Sequence, residues 1–392
     1  LVTPSITIDY FARINNDNNT NESDALLNSA TATYTDGETG GVATSGPVAA
    51  PQQNVQEPLL TGTKTFTNVT PGKLPTDLPD GGDSIEYVLT LTNNGTSTAF
   101  DTNIVDTLPA ELQLDPAFVP TATIGGGPAF AAVPAGAPGG PLIWGRDSGD
   151  DTLDIPPTQQ LVLTYRVVLQ DNVLADLPIN NSALADWTSL NGVSADERTG
   201  AGCPTVTAPN DYCSAPIIAV LDTSDNNTVV KTRITDTSPA LTAANDVRIG
   251  DVIDYELRLT LQEGSSPSVV VTDALPQGLA FEGIVSINGD TSAPYSSAAP
   301  FTHADIPAGG VVVTGNPATG PTSVALTVGN VVNVADNVAA HDDFIVVYRA
   351  RVLILVHPLV NTFNLANTAN LDYSTAAGPA VSVTDTESVT VR

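Results

Sequence analysis

Three polar residues stand where strands should be turning apolar side chains inward. Lys64 lies in TKTFT, in phase with Phe66. Asp106 lies in phase with Ile104, and Asn181 in phase with Ala183, Ala185 and Trp187. Side chains two apart on a strand share a face, so all three point toward apolar surroundings. Unpaired burial of such groups is costly. Burial pushes a lysine toward the neutral amine and an aspartate toward the neutral acid. A neutral amine can attack an asparagine carboxamide that a carboxylic acid polarises, expelling ammonia and leaving a Lys–Asn isopeptide bond in a single turnover. The competing reading makes Asp106 and Asn181 turn and strand-edge hydrogen-bonders and Lys64 a solvated strand charge.

The elements that would position these groups repeat along the chain. GDSIEYVLTLT (82–92) and GDVIDYELRLT (250–260) both open on Gly-Asp and then alternate. Ile85, Tyr87, Leu89 and Leu91 share one face, as do Ile253, Tyr255, Leu257 and Leu259; the other faces are polar, the pattern of a half-buried strand. VDTLPAELQL (105–114) and TDALPQGLAF (272–281) follow, each with a proline that ends a strand. A third block occurs three times, as ITIDYFARI (6–14), LVLTYRVVL (161–169) and IVVYRARVL (345–353). Its sequels are LLNSATATY, INNSALADW and LANTANLDY, with Asn28, Asn181 and Asn367 six residues before an aromatic. A fixed order of short alternating segments, with no amphipathic helix, predicts an all-β chain of tandem immunoglobulin-like β-sandwich repeats. The expected organisation is the closing half of a preceding repeat over 1–46, a linker over 47–58, and complete repeats over 59–222 and 226–392.

The motif order is a Lys strand, Gly-Asp-x-Ile-x-Tyr, Asp-x-Leu-Pro and Asn-[Ser/Thr]-Ala. It resembles a conserved surface-protein repeat family, the domain of unknown function eleven type, found in long prokaryotic surface proteins. It is also similar to the isopeptide-forming immunoglobulin-like domains of fimbriae and adhesins. The resemblance covers nearly the whole chain and departs at 259–268, where LTLQEGSSPS replaces LTNNGTSTAF. It implies amine, proton-shuttle and carboxamide roles for Lys64, Asp106 and Asn181, and for Lys231, Asp273 and Asn367. Lys231 lies in phase with Arg233, which predicts a more exposed face for the second set.

Composition bounds the function. Of 392 residues 41% are apolar, enough for real cores, while 43 acids face 13 bases for a net charge of −30. That charge disfavours nucleic acid and anionic lipid as partners. No apolar run is long enough to span a membrane, and the absence of methionine suggests a mature or trimmed chain. Cys203 and Cys213 close a Pro- and Asn-containing loop, which predicts a disulfide and an oxidising, extracellular compartment. Acid- and amide-rich runs at 15–24, 147–154 and 222–227 suggest calcium, best at Asp222 and Asp225 in the junction between repeats. No other cofactor is expected. His303, His341 and His357 stand in no triad or metal spacing, so no enzyme is expected. Asn68 and Asn94 are glycan sequons.

These features predict a structural stalk, filament or sheath subunit on a prokaryotic cell surface; the alternative is an adhesin binding a host protein or glycan through loops. Residues 1–46 cannot bury the Ile6, Ile8, Tyr10 and Ala12 face alone. Either the missing half lies upstream in a longer array from which the chain was trimmed, or the partner is another copy of the chain, joined head to tail through that segment.

Overall fold

A computed structural model describes residues 6–16, 20–136, 138–150, 152–236, 245–287, 310–354 and 363–392. Among them the chain is all-β, with helical structure confined to two three-residue 3-10 turns. Two short sheets come first: β1 (Ala25–Leu26) pairs with β4 (Gln53–Asn54), and β2 (Ser29–Thr35) with β3 (Val42–Ala49). The stretch read as a linker thus begins inside β3 and contains β4. Residues 6–14 form no strand. Their alternation was expected to make one, but a ladder needs a partner with free N–H and C=O groups, and no strand among the described residues pairs with them.

The first large core is a sandwich of two sheets. Its strands are β5 (Leu60–Asn68), β6 (Ser84–Asn93), β7 (Phe100–Thr107), β8 (Leu112–Leu114), β9 (Thr121–Ile124), β10 (Phe130–Ala131), β11 (Pro141–Gly145), β12 (Gln160–Leu169), β13 (Pro178–Thr188) and β14 (Ile217–Asp222). One sheet runs β10-β9-β12-β6-β5, with β8 also on β12; the other runs β11-β7-β13-β14. Ile85, Tyr87, Leu89 and Leu91 are fully buried between them. Each such side chain contributes roughly 1.5–3 kcal/mol of transfer free energy.

The second core repeats the plan. Its strands are β15 (Thr228–Asp236), β16 (Asp246–Val247), β17 (Val252–Thr260), β18 (Gly264–Leu275), β19 (Leu279–Ile287), β20 (Val311–Gly315), β21 (Thr322–Asn333), β22 (Asp343–Val352), β23 (Phe363–Thr375) and β24 (Gly378–Val391). The sheets are β15-β17-β22-β19 and β16-β24-β23-β18-β21-β20. The repeated Gly-Asp turns have a backbone reason: Gly82 and Gly250 take φ values of 76° and 91°, where a side chain is strained.

The two sandwiches meet through backbone hydrogen bonds. Ser224 N–H donates to Pro79 O (2.8 Å), Gly81 N–H to Glu263 O (3.0 Å) and Ser265 N–H to Val173 O (2.7 Å). Beneath them the Glu263 carboxylate accepts from the N–H groups of Asp336 and Asn337, and its other oxygen is buried without a partner. Burial, with the Asp342 and Asp80 carboxylates nearby, pushes Glu263 up to about 7. A carboxyl raised above its unfolded value favours folding only while protonated, so this contribution is complete below pH 4.5 and vanishes as pH rises through about 7. Unfolding curves between pH 5 and 8 should show wild type losing stability relative to Glu263→Gln; parallel curves would exclude this role.

Candidate functional site

The same buried cluster occurs once in each sandwich. Lys64 stands on β5 of one sheet, while Asp106 on β7 and Asn181 on β13 belong to the other. Ladder register fixes their meeting: Asp106 faces Ala183 across β7 and β13, and Asn181 is two residues away on the same face. The Lys64 and Asp106 side chains are wholly buried, and Lys64 Nζ donates to Asp106 Oδ2 at 2.7 Å. The Tyr165 hydroxyl, on β12, donates a short hydrogen bond to the same oxygen. Asn181 Nδ2 donates to Tyr165 OH at 3.2 Å. The ammonium lies over the rings of Tyr87 and Tyr165, 5.0 and 5.8 Å from their centroids, and those rings stack on each other.

The second sandwich holds the same four residue types in the same places. Lys231 on β15 pairs with Asp273 on β18, and its Nζ lies 3.0 Å from Tyr348 OH. Asn367 Nδ2 on β23 donates to the same hydroxyl at 2.6 Å. Asp273 faces Ala369, again two residues from the asparagine. Lys231 is over Tyr255 and Tyr348, which stack as Tyr87 and Tyr165 do. The exposure expected for Lys231 from Arg233 is not found; its side chain is wholly buried. A register shift between Arg233 and Thr235 interrupts strict alternation beyond it.

Electrostatics act in the direction the chemistry requires. Burial, opposed by the paired carboxylate, lowers Lys64, and it lowers Lys231 to about 8. Burial raises Asp106 and Asp273 against the pull of their lysines. Asp106 Oδ1, Asn181 Oδ1, Asp273 Oδ1 and Asn367 Oδ1 are all buried with no hydrogen-bond donor among the described residues. Orphaned acceptors cost about 1–3 kcal/mol each, so the same two acceptors being orphaned in both copies singles this cluster out from ordinary packing. The chain has three lysines in all; two occupy these clusters, and Lys73 is held by Asp80 and Asp83 at a turn.

Sequence reasoning treated Tyr165 and Tyr348 only as members of a repeated block. The signal was present: that block keeps its tyrosine in all three occurrences, at Tyr10, Tyr165 and Tyr348.

Cys203 and Cys213 are bonded and pin the loop between β13 and β14 beside the stacked Trp187 and Tyr212 rings. The calcium expectation finds no ligand set. Asp222 is exposed at the end of β14, and Asp225 Oδ1 is taken by the Tyr373 hydroxyl at 2.5 Å. Among the described residues no three acidic, histidine or cysteine side chains are placed to hold a metal; Asp17, Asp151, His303 and His357 lie outside them. The same limit applies to spanning helices: none among the described residues is long and apolar enough to cross a membrane.

No family model matches the chain, and no curated protein matches it. Among solved structures it is similar to the C-terminal domain of the antigen I/II polypeptide of Streptococcus agalactiae, at 11% identity and TM-score 0.27, covering 85% of this chain and all of that one. It is similar to the major pilin subunit of Bacillus cereus at 13% identity and TM-score 0.29, covering 93% of this chain and 74% of that one. A C-terminal fragment of the major pilin of Streptococcus agalactiae follows at 10% identity and TM-score 0.28, covering 83% of this chain and 90% of that one. Likenesses this distant do not decide function; the sandwich assignment rests on the chain's own sheets and cores.

Proposed function

We propose that this chain is a structural extracellular protein, a repeat-built stalk, filament or sheath subunit of a prokaryotic cell surface, and that each of its two domains, 59–222 and 226–392, is locked by one Lys–Asn isopeptide bond. The observation that carries the proposal is the duplicated cluster. Two of the chain's three lysines are buried against a carboxyl, a tyrosine hydroxyl and an asparagine carboxamide, bridging the two sheets in the same register. In the reaction, the neutral Lys64 amine attacks Asn181 Cγ. Asp106, carrying the proton, donates to the carboxamide oxygen that has no donor in the folded chain. The C–N bond to Nδ2 breaks, Nδ2 leaves as ammonia, and Asp106 returns to its starting state. Lys231, Asp273 and Asn367 act alike. A bond from β5 to β13, or from β15 to β23, ties one sheet to the other, which suits a load-bearing element. Joining of one polypeptide to the next through residues 1–46 belongs to the same reading.

The intact mass of the reduced full chain should fall short of the sequence mass by two ammonia molecules. Proteolysis should release linked peptides containing Lys64 with Asn181 and Lys231 with Asn367. A full sequence mass after prolonged incubation would end the proposal.

A further inference from the structure

The tyrosine–asparagine half of this cluster occurs a third time, in the open. Asn28 Nδ2 donates to Tyr10 OH at 2.5 Å, as Asn181 does to Tyr165 and Asn367 to Tyr348. Asn28 shares its face with Ala30, Ala32 and Tyr34, the counterpart of Ala183, Ala185 and Trp187 around Asn181. Among the described residues nothing covers that face: Ile8, Tyr10 and Tyr34 are 78%, 63% and 56% exposed. None of the three lysines can serve it, because two are buried in their own sandwiches and the third is tied to Asp80 and Asp83.

We infer that Asn28 is the acceptor of a covalent junction between polypeptide segments, made when Tyr10, Asn28 and the β2–β3 sheet are covered by the opening half of another repeat of this kind, bearing a lysine strand and an Asp-x-Leu-Pro strand. The inference rests on the Lys–Asn chemistry proposed above. The occupant is identified by the chain itself, which twice shows what completes such a face: β5 from the facing sheet with β7 paired alongside β13 at Asn181, and β15 from the facing sheet with β18 paired alongside β23 at Asn367. The incoming amine attacks Asn28 Cγ and Nδ2 departs as ammonia. The incoming aspartic acid relays the proton and is regenerated, so no other reactant is needed. Covering the face also buries apolar side chains that now meet water.

The test mixes full-length chain with a recombinant polypeptide of residues 57–119, which supplies Lys64 and Asp106 without a carboxamide partner. A covalent adduct is expected at the summed mass less one ammonia, with Asn28 and Lys64 in one linked peptide. Asn28→Ala in the full chain, an exposed change that leaves both sandwiches intact, should reduce the adduct to background, as should Asp106→Ala in the added polypeptide. No adduct, binding without loss of ammonia, or an adduct that survives Asn28→Ala each overturns the inference. The mass of the full chain alone reports its two internal bonds, so failure here with both bonds present leaves the proposed function standing, and their absence removes both.

Discussion

Replacing Asn181 by alanine should lower the melting temperature of the first sandwich by roughly 10–20 °C while leaving the second unchanged. The Lys64–Asn181 bond would close a loop of roughly a hundred residues. By the chain-entropy argument used for disulfides, such a closure contributes about 4–5 kcal/mol, and a unit of this size shifts by about 2–4 °C per kcal/mol. The two hydrophobic cores share no residue, so the loss should stay local. Asp106→Ala should cost more. It prevents the bond and also strips the carboxylate from Lys64, leaving a lone amine in an apolar core, a change worth about 3–5 kcal/mol where one partner of a buried pair is removed. The order is therefore wild type, Asn181→Ala, then Asp106→Ala, read as two calorimetric transitions of which only one moves. Equal melting of wild type and Asn181→Ala would mean that no bond contributes in the folded protein.

The parts of this site that were legible in the sequence were those with a period. Strand phase placed Lys64, Asp106 and Asn181 inward, and each is buried. The exposure inferred for Lys231 failed because Arg233, which shares its face in a regular ladder, is itself half-buried, so a charged neighbour in phase does not mark a solvent face. Phase also misled at residues 6–14, where alternation states which face would be buried but not whether a ladder partner exists. The tyrosines were visible yet unassigned. A buried aromatic on a core face is ordinarily packing, and only its hydroxyl's contacts with Asp106 and Asn181 single out Tyr165. The junction went the other way. Its acids suggested an ion, and the main-chain hydrogen bonds at Pro79, Glu263 and Val173 that make the connection have no side-chain signal to read.

Bond formation in the second sandwich should follow a bell-shaped pH profile, and Asp273→Asn should slow it by at least about a hundredfold. The reactive state needs a neutral Lys231 amine and a protonated Asp273 carboxyl together, which is one proton shared by two groups. Its charge-separated tautomer, ammonium beside carboxylate, holds the same number of protons, so pH does not alter the balance between them. Acid adds a second proton and blocks the amine, on a lower limb set by Asp273, which burial lifts above the ordinary carboxylate range. Base removes the shared proton and leaves the carboxamide without an acid, on an upper limb near the Lys231 value of about 8. Asparagine at 273 keeps the size of the side chain but cannot relay a proton, and general acid–base groups of this kind contribute roughly 10²–10⁴ in rate. The measurement is mass loss against time after rapid refolding of chain held unfolded, from pH 4 to pH 10. A rate that climbs steadily through pH 9 would show that deprotonation of the amine alone limits the reaction and that Asp273 carries no proton in it.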